Sequence, residues 1–207
     1  MIRTHDVRLL ADAIKRDLRR KPPIREDYGW PSEALRILDA VMSLNRRYDR
    51  FVLPRLREFS EQHPEIRSLD DLNKLLRLAG PRSFLRTHMR YDDPGRARVL
   101  AGVVRRLLKE RAKHGSLPRW AELASPADSA AFGVRGFGLA GFQYLRMLFG
   151  VQTVKPDTYI KKYVLDVVGR KVSDMDCVLL IELAGLVLGW PVREIDGRIW
   201  TKGARRA

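Results

Sequence analysis

Apolar residues recur at helical spacing along almost the whole chain, and this pattern constrains the fold more than any other feature. In the first segment it runs through Val7, Leu10, Ile14 and Leu18. Residues at this spacing share one face of an α-helix, the face that packs into a core. No stretch alternates between apolar and polar residues for long enough to indicate a strand. The pattern therefore predicts an all-α fold.

Helix boundaries are marked by capping residues. Ser68 and Asp71 have the spacing of a capping box, in which each side chain satisfies an N–H group at the start of a helix. Ser32 is placed to cap another helix, and Asp93 to cap a longer one that has Pro94 at its first position. The later helical patterns run over residues 139–149, 157–168, 173–188 and 191–200.

The size and composition of the 207 residues predict one soluble domain. No internal repeat, low-complexity tract or linker divides the chain, so residues 1–207 are expected to form a single domain of two helical lobes. The longest apolar stretch, residues 177–190, contains Glu182 and is shorter than the roughly 20 residues of a membrane span. No apolar stretch follows a basic start, so no signal peptide is expected. The protein is predicted to be cytoplasmic, or nucleoid-associated in a bacterium, and not to bind a membrane.

Side chains that bind metals and cofactors are scarce. Cys177 is the only cysteine, so the sequence excludes an intrachain disulfide and a four-cysteine iron–sulfur cluster. The four histidines are scattered without the spacing of metal ligands. We therefore expect no metal and no cofactor.

Charge is the strongest functional indication in the composition. The 40 Lys and Arg residues outnumber the 25 Asp and Glu residues, which leaves a formal net charge of +15. A polyanion is the expected partner, with nucleic acid leading, because phosphates release counterions when basic side chains neutralise them. The alternative is that the positive faces are only solvated. We interpret one helix in this way, because its cations surround it rather than line one face: Arg96, Arg98, Arg105, Arg106 and Arg111.

The only glycine cluster of the chain spans residues 133–138 and joins two predicted helices. Gly136 and Gly138 permit positive φ angles and carry no Cβ, so N–H groups at the head of the following helix can approach a phosphate oxygen. Such a turn binds the DNA backbone without recognising the base sequence. A glycine turn that only joins two helices is the alternative. We predict backbone contacts at Gly136, Phe137, Gly138 and Ala140.

Two motifs in this region carry a resemblance to a known family. They read V-R-G-F-G-L-A-G-F over residues 134–142 and V-K-P-D-T-Y-I over residues 154–160. The chain resembles the helix-hairpin-helix base-excision DNA glycosylase superfamily, the endonuclease III-like enzymes, fairly specifically over residues 133–164. The resemblance implies a two-lobed helical bundle with a helix-hairpin-helix motif and a cleft between the lobes for double-stranded DNA. It also implies DNA repair by hydrolysis of the N-glycosidic bond of a damaged or mismatched base.

The same resemblance points to Asp157 as the catalytic residue. A carboxylate at a helix start is fixed by N–H groups and kept ionised by the helix field. It can stabilise the positive charge that develops on the sugar, and it can orient or deprotonate the attacking water. The alternative is an N-cap aspartate with no further role.

The chain departs from the family in ways that bear on the reaction. Members that also act as lyases carry a lysine just after the second glycine of the hairpin, where this chain has Leu139–Gly141. Tyr159 replaces a histidine that often follows the catalytic Asp-Thr, and the iron–sulfur cysteines are absent. A monofunctional enzyme with water as the nucleophile is favoured, although Lys155 or Lys161 could supply residual lyase activity. A noncatalytic DNA-binding protein of the same fold is the alternative, and a basic helical interaction protein is a third.

A base inside a duplex must be swung out before such an enzyme can act on it, and another group must fill the gap. Asn45 stands where the family usually has a polar plug. Tyr28, Trp30 and Tyr48 are candidates to stack on the flipped base. An asparagine at a helix end is commonly a C-cap because it tolerates left-handed backbone, and aromatic residues are as readily part of a core. These alternatives stay open for all four residues.

Overall fold

All regular structure in the described part of the chain is helical. The structure is a computed structural model that describes residues 2–20 and 29–204. Within these ranges it contains twelve α-helices, a π-helical turn at Tyr48–Val52 and no strand, which confirms the predicted all-α fold. The helices are α1 Thr4–Leu18, α2 Glu33–Met42, α3 Leu53–Gln62, α4 Leu69–Ala79, α5 Pro81–His88, α6 Pro94–His114, α7 Leu117–Leu123, α8 Asp128–Phe132, α9 Leu139–Leu148, α10 Thr158–Val168, α11 Asp174–Leu188 and α12 Val192–Ala204.

The predicted helix caps are present. The Ser32 hydroxyl accepts a hydrogen bond at 3.2 Å from an N–H group in the first turn of α2. Ser68 and Asp71 form the capping box of α4, in which the Asp71 N–H donates to the Ser68 hydroxyl at 3.1 Å and the Ser68 N–H donates to the Asp71 carboxylate at 2.9 Å. Asp93 caps α6, which has Pro94 in its first turn. Local sequence therefore sets these boundaries.

No pattern in the sequence predicted the helix α7. It begins after Ser116, whose hydroxyl accepts a hydrogen bond from the Arg119 N–H at 3.2 Å. Its seven residues are too few to show a helical period clearly. Leu117 and Trp120 are buried, so tertiary packing stabilises a helix that is too short to be stable alone.

The described residues form two compact units. The terminal unit, made of the described residues within 1–26 and 150–207, contains α1, α10, α11 and α12. The central unit, made of those within 27–149, contains α2 to α9 and the π-helical turn. Each unit buries an apolar core of its own.

The core of the central unit is built on α6, which packs against α2, α4, α5 and α7. An aromatic cluster supports the turn between α8 and α9, and all of its side chains are buried. It leaves the glycines of the turn exposed. Neighbouring ring centroids lie 5.4–5.9 Å apart in the cluster, which consists of Trp120, Phe132, Phe137 and Phe142.

The core of the terminal unit surrounds α11, which contacts α1, α10 and α12. The side chains of Leu180 and Ile181 on α11 are fully buried. On α1, the buried Asp6 forms an ion pair with Arg170. Across the residues that the structure describes, no single helix is long and apolar enough to cross a membrane, and α11 and α12 meet that test only as a pair bent by 115°.

Candidate nucleic-acid interface

The turn between α8 and α9 has the backbone conformation that its glycines permit. Gly133 ends α8 with a φ of +70°, and Gly136 follows with a φ of +87°, a region that residues with a side chain rarely adopt. Gly138, the N-cap of α9, instead has extended backbone, with a φ of −81° and a ψ of −170°. The conformation therefore requires glycine at Gly136, whereas at Gly138 glycine only removes a side chain.

No side chain among the described residues caps the N-terminus of α9. The first N–H groups of a helix lack an intrahelical acceptor and carry partial positive charge. Those of Leu139 and Ala140 meet no acceptor in the described ranges, so they are left for an external one. Phe137 differs, because its N–H donates to the Val134 carbonyl at 2.9 Å and its side chain is buried. Among the predicted backbone-contact residues, Phe137 supplies packing rather than a free N–H.

Two close approaches hold the turn against α6. A Cβ on Gly102, in the middle of α6, would lie 2.8 Å from Val134 Cγ1. A Cβ on Gly136 would lie 3.0 Å from Val99 Cγ2. Both distances are shorter than ordinary van der Waals contact, so glycine at each position lets the turn pack directly on the helix.

The loop after α2 lies beside the first turn of α9. Arg96 on α6 donates to the carbonyl oxygens of Val41 and Leu44 at 2.6 and 2.5 Å, and so satisfies the C-terminal end of α2. Leu44 also packs on α9, because a Cβ on Gly141 would come within 2.9 Å of Leu44 Cδ2. These contacts position Asn45, the predicted plug, close to the N-terminus of α9.

Asn45 itself is exposed and has left-handed backbone, with a φ of +54°. Asparagine tolerates this conformation, which accounts for the residue type by backbone geometry alone. The C-cap of α2 is Ser43, two residues earlier. Among the described residues no hydrogen bond engages the Asn45 amide, so its donor and its acceptor are both open to a ligand.

Asn45, the α8–α9 turn and one side of α6 line a groove of about 1050 Å³ within the central unit. Two of the cations in this groove are engaged by the protein. Arg96 binds the carbonyls of the α2 end, and Arg106 pairs with Glu110 at 2.6 Å. In the described ranges, the side chains of four further groove cations have neither a hydrogen-bond nor an ion-pair partner, namely Arg98, Arg105, Lys109 and Arg135.

The five arginines that we considered in the sequence do surround α6, but three of the free groove cations lie on one face of it. Arg98, Gly102, Arg105 and Lys109 follow one another at intervals of four, three and four residues, which is the spacing of one helix face. Arg111 is engaged elsewhere, where it pairs with Asp70 at 2.7 Å. The spacing was visible in the sequence, but Lys109 and the glycine in the row had not been counted with the arginines.

Two aromatic candidates for base stacking converge on a buried carboxylate. Asp39 on α2 is fully buried. Burial, with the neighbouring charge of Asp39, raises the pKa of Tyr48. Tyr28, the third candidate, lies outside the described residues. The Asp39 carboxylate accepts hydrogen bonds from an indole and two phenols: Trp30 Nε1 at 2.9 Å, Tyr48 OH at 3.0 Å and Tyr144 OH at 3.2 Å.

Asp157 is the N-cap of α10 in the terminal unit, which confirms its capping role. Its Oδ1 accepts hydrogen bonds from the N–H groups of Tyr159 and Ile160 at 2.9 and 3.1 Å. The residue is half-buried, and no donor to its Oδ2 is present in the part of the chain that the structure describes. A carboxylate held by one oxygen can still orient a water molecule with the other.

A second carboxyl group lies near Asp157. Asp196 on α12 is buried, and its Oδ1 accepts a hydrogen bond from the Lys155 N–H at 3.0 Å. Burial above all, together with the charge of Asp157, raises the pKa of Asp196 to about 8. Asp196 is therefore mostly protonated at neutral pH. Sequence reasoning missed it, because its burial arises only when α12 packs in the unit.

Other side chains linked to the glycosylase resemblance have structural roles. Lys161 pairs with Asp174 at 3.2 Å, and Tyr159 packs edge-on against Trp200 with ring centroids 6.1 Å apart. Cys177 is fully buried, and burial raises the pKa of its thiol, so it is not a nucleophile at neutral pH. Within residues 2–20 and 29–204, no group of three or more His, Cys, Asp or Glu side chains is arranged to hold a metal ion.

A family profile matches almost the whole chain, over residues 8–204. The match includes both the groove of the central unit and Asp157 in the terminal unit. No curated protein and no solved structure matches the chain significantly. The family is described as a domain of unknown function, DUF8548, and the chain belongs to it.

Proposed function

We propose that the protein binds double-stranded DNA through the central unit and hydrolyses the N-glycosidic bond of a damaged or mismatched base. The observation that carries this proposal is the groove that Asn45 shares with the turn leading into α9. Asn45 and the turn are distant in the sequence; the glycines of the turn predicted a phosphate-binding segment, and the resemblance to the glycosylase superfamily predicted Asn45 as a plug. Their meeting in one basic groove supports a common ligand.

The turn suits a phosphate of the DNA backbone. Helix N-termini bind anions because their N–H groups point at the ligand and the helix dipole favours negative charge. Gly136 and Gly138 are exposed, so a backbone can approach the N–H groups of Leu139 and Ala140 without meeting a side chain. A contact of this kind is independent of base sequence, as a protein that inspects many sites requires.

Asn45 suits the role of a plug in the duplex. Its side chain is exposed on a loop that Arg96 and Leu44 fix in place. When a base is swung out, an amide can enter the vacated position and hydrogen-bond to the orphan base as both donor and acceptor.

Asp157 suits the chemical step of such an enzyme. In base removal the bond between the sugar C1′ and the base nitrogen breaks, the base leaves with the bonding electrons, and the oxygen of water bonds to C1′. A carboxylate stabilises the positive charge on the sugar and accepts the proton of the attacking water, which the departing base can then take up. Leu139–Gly141 offers no amine and Lys161 is paired with Asp174, so a monofunctional reaction fits better than a lyase.

A noncatalytic DNA-binding protein is the second candidate. It is favoured by the observation that two N–H groups of α10 already account for an aspartate at position 157. In that case the groove binds DNA and no base is released.

Substitutions at Gly138 test the binding step, because its extended backbone accepts any residue and a Cβ there meets no atom within 4 Å. Gly138→Asp places a carboxylate where it caps α9 and repels a phosphate. We expect it to stabilise the fold by a few tenths of a kcal/mol, as aspartate is a slightly better N-cap than glycine. We expect duplex affinity to fall roughly tenfold or more, measured by fluorescence anisotropy, because a charge-assisted contact is lost.

Gly138→Ala is the matched control, because it adds a Cβ but leaves the N–H groups of α9 open. Its affinity for duplex DNA should stay close to that of the wild type. Equal loss of binding in both variants, or none in Gly138→Asp, would exclude the α9 N-terminus as a phosphate site.

A panel of duplexes with base lesions tests the catalytic step. Alkali converts abasic sites into strand breaks, which gel electrophoresis detects. Asp157→Asn keeps the cap, since the amide oxygen accepts the same N–H groups, but it removes the charge. We expect release of at least one lesion by the wild type and a rate roughly a hundredfold lower in the variant. Product on no lesion favours the noncatalytic candidate, and undiminished product from Asp157→Asn removes this residue from the mechanism.

A further inference from the structure

We propose that one face of α6 is a second contact surface for the DNA backbone, formed by Arg98, Arg105 and Lys109 and called the basic stripe below. The inference rests on the proposed DNA binding and specifies how the duplex is held. DNA runs along α6 and across Arg135 in the turn, and so contacts more of the central unit than the N-terminus of α9.

The basic stripe has the length and direction of a backbone contact. At about 1.5 Å of rise per residue, the helix from Arg98 to Lys109 is about 16 Å long. One strand of B-DNA presents a phosphate about every 3.4 Å along its axis, so several phosphates fall within this length. The turn that carries Arg135 packs on the same helix through Gly102, which places all four cations in one groove.

The charges of the stripe are also free to meet a ligand. Some exposed arginines of the central unit are instead paired with acids, as Arg82 is with Asp92 at 2.7 Å. No ion pair engages the stripe in the described residues. The one acidic side chain among the described residues of the groove, Asp93, is already engaged in capping α6. Unpaired like charges repel one another in the folded protein, and a bound polyanion removes that repulsion.

The groove suits a duplex better than a single strand. Proteins that bind single strands stack bases on exposed aromatic rings. Phe132 is the one aromatic residue among the described residues that line the groove, and it is 3% exposed. A surface of cations without a stacking platform contacts phosphates, which a duplex presents on its outside.

The test is the salt dependence of binding to an undamaged duplex, measured by fluorescence anisotropy. The variant carries Arg98→Gln, Arg105→Gln and Lys109→Gln, which keep polar side chains and remove three charges. The slope of log K against log salt should become shallower by about 2.7, at about 0.9 for each lost phosphate contact. Affinity near physiological salt should fall roughly a hundredfold, and the difference should vanish near 1 M salt.

A matched control removes three exposed charges elsewhere on the same unit, through Arg57→Gln, Lys74→Gln and Arg119→Gln. Its slope should change by less than about 0.9, the value for one phosphate contact, and neither variant should melt at a lower temperature than the wild type. Equal slopes in the two variants would overturn the basic stripe and leave the proposed DNA binding intact. If the wild type binds no duplex, the proposed function itself is wrong. If it prefers single-stranded DNA, the duplex is not its partner.

Discussion

Two buried aspartates, one in each unit, are stabilised differently. Asp39 in the central unit is fully buried, and an indole and two phenols donate hydrogen bonds to its carboxylate. Asp196 in the terminal unit is buried too, yet the hydrogen bond that it accepts comes from the Lys155 N–H. Donors stabilise an ionised carboxylate, whereas burial favours the neutral acid, and burial raises the pKa of Asp196 to about 8.

Asp39 and Asp196 give their two units different properties. Asp39 belongs to a polar core under α2, the helix that carries the Asn45 loop, so it contributes to a fixed scaffold for the groove. Asp196 lies near Asp157 and changes its charge close to neutral pH. A change of pH within this range therefore alters the surroundings of Asp157.

Asp39→Asn should have the largest effect on stability. An amide replaces one of the two carboxylate oxygens by an NH₂ group, so at least one of the three donors must turn its hydrogen away from this side chain or lose its acceptor. We expect the free energy of unfolding to fall by about 3 kcal/mol, measured by urea denaturation. Tyr144→Phe, which removes one donor and keeps the ring, should cost only about 1 kcal/mol. If Asp39→Asn is as stable as the wild type, the two buried aspartates do not differ as described.

Asp196→Asn should change the pH dependence of stability. Because the pKa of Asp196 is about 8 in the folded chain and near 3.9 in the unfolded one, the folded state holds the extra proton between these values. The contribution of Asp196 to the free energy of unfolding is therefore fully present below about pH 4. It is lost as pH rises towards 8, by about 1 kcal/mol per pH unit.

The asparagine variant keeps the acceptor for the Lys155 N–H and does not titrate. In denaturation curves between pH 5 and 8, its stability should fall less steeply than that of the wild type. Parallel pH profiles for the two proteins would show that Asp196 is ionised in the folded state.

The central unit should show a smaller response of the opposite sign. Burial lowers the pKa of His88, and so does His63, whose Nε2 lies 2.9 Å from His88 Nδ1. Below about pH 6.5 the unfolded chain holds more protons at His88 than the folded one, so stability is lost as pH falls. His88→Gln should reduce this loss in denaturation curves between pH 5 and 7. The same steepness in both proteins would mean that another group causes the acid response.

The fold class and several boundaries were predictable from the sequence, because they depend on short-range interactions. The capping box of Ser68 and Asp71 involves atoms three residues apart, and helical periodicity places apolar residues on one face of each segment. The helix α7 was missed because its seven residues are stabilised by core packing rather than by a pattern of their own.

The candidate site was predictable only in part. The glycine turn was found by its residue type, and Asn45 by the resemblance to the glycosylase superfamily. The role of Gly102 was not, since it depends on Val134 approaching α6 from a distant part of the chain. The hydrogen bonds of Trp30 and Tyr48 were not predictable either, because their shared acceptor Asp39 lies on another segment.

By itself the sequence determined the excess of positive charge, most of the helices with their caps, and the glycine turn, because the helices, caps and turn depend on residues a few positions apart. Only the tertiary structure decided that the turn, Asn45 and one face of α6 line a common groove, and that Asp196 is buried near Asp157. The physical reason is that burial, close approach and the pairing of charges are properties of packed neighbours, and those neighbours are far apart along the chain.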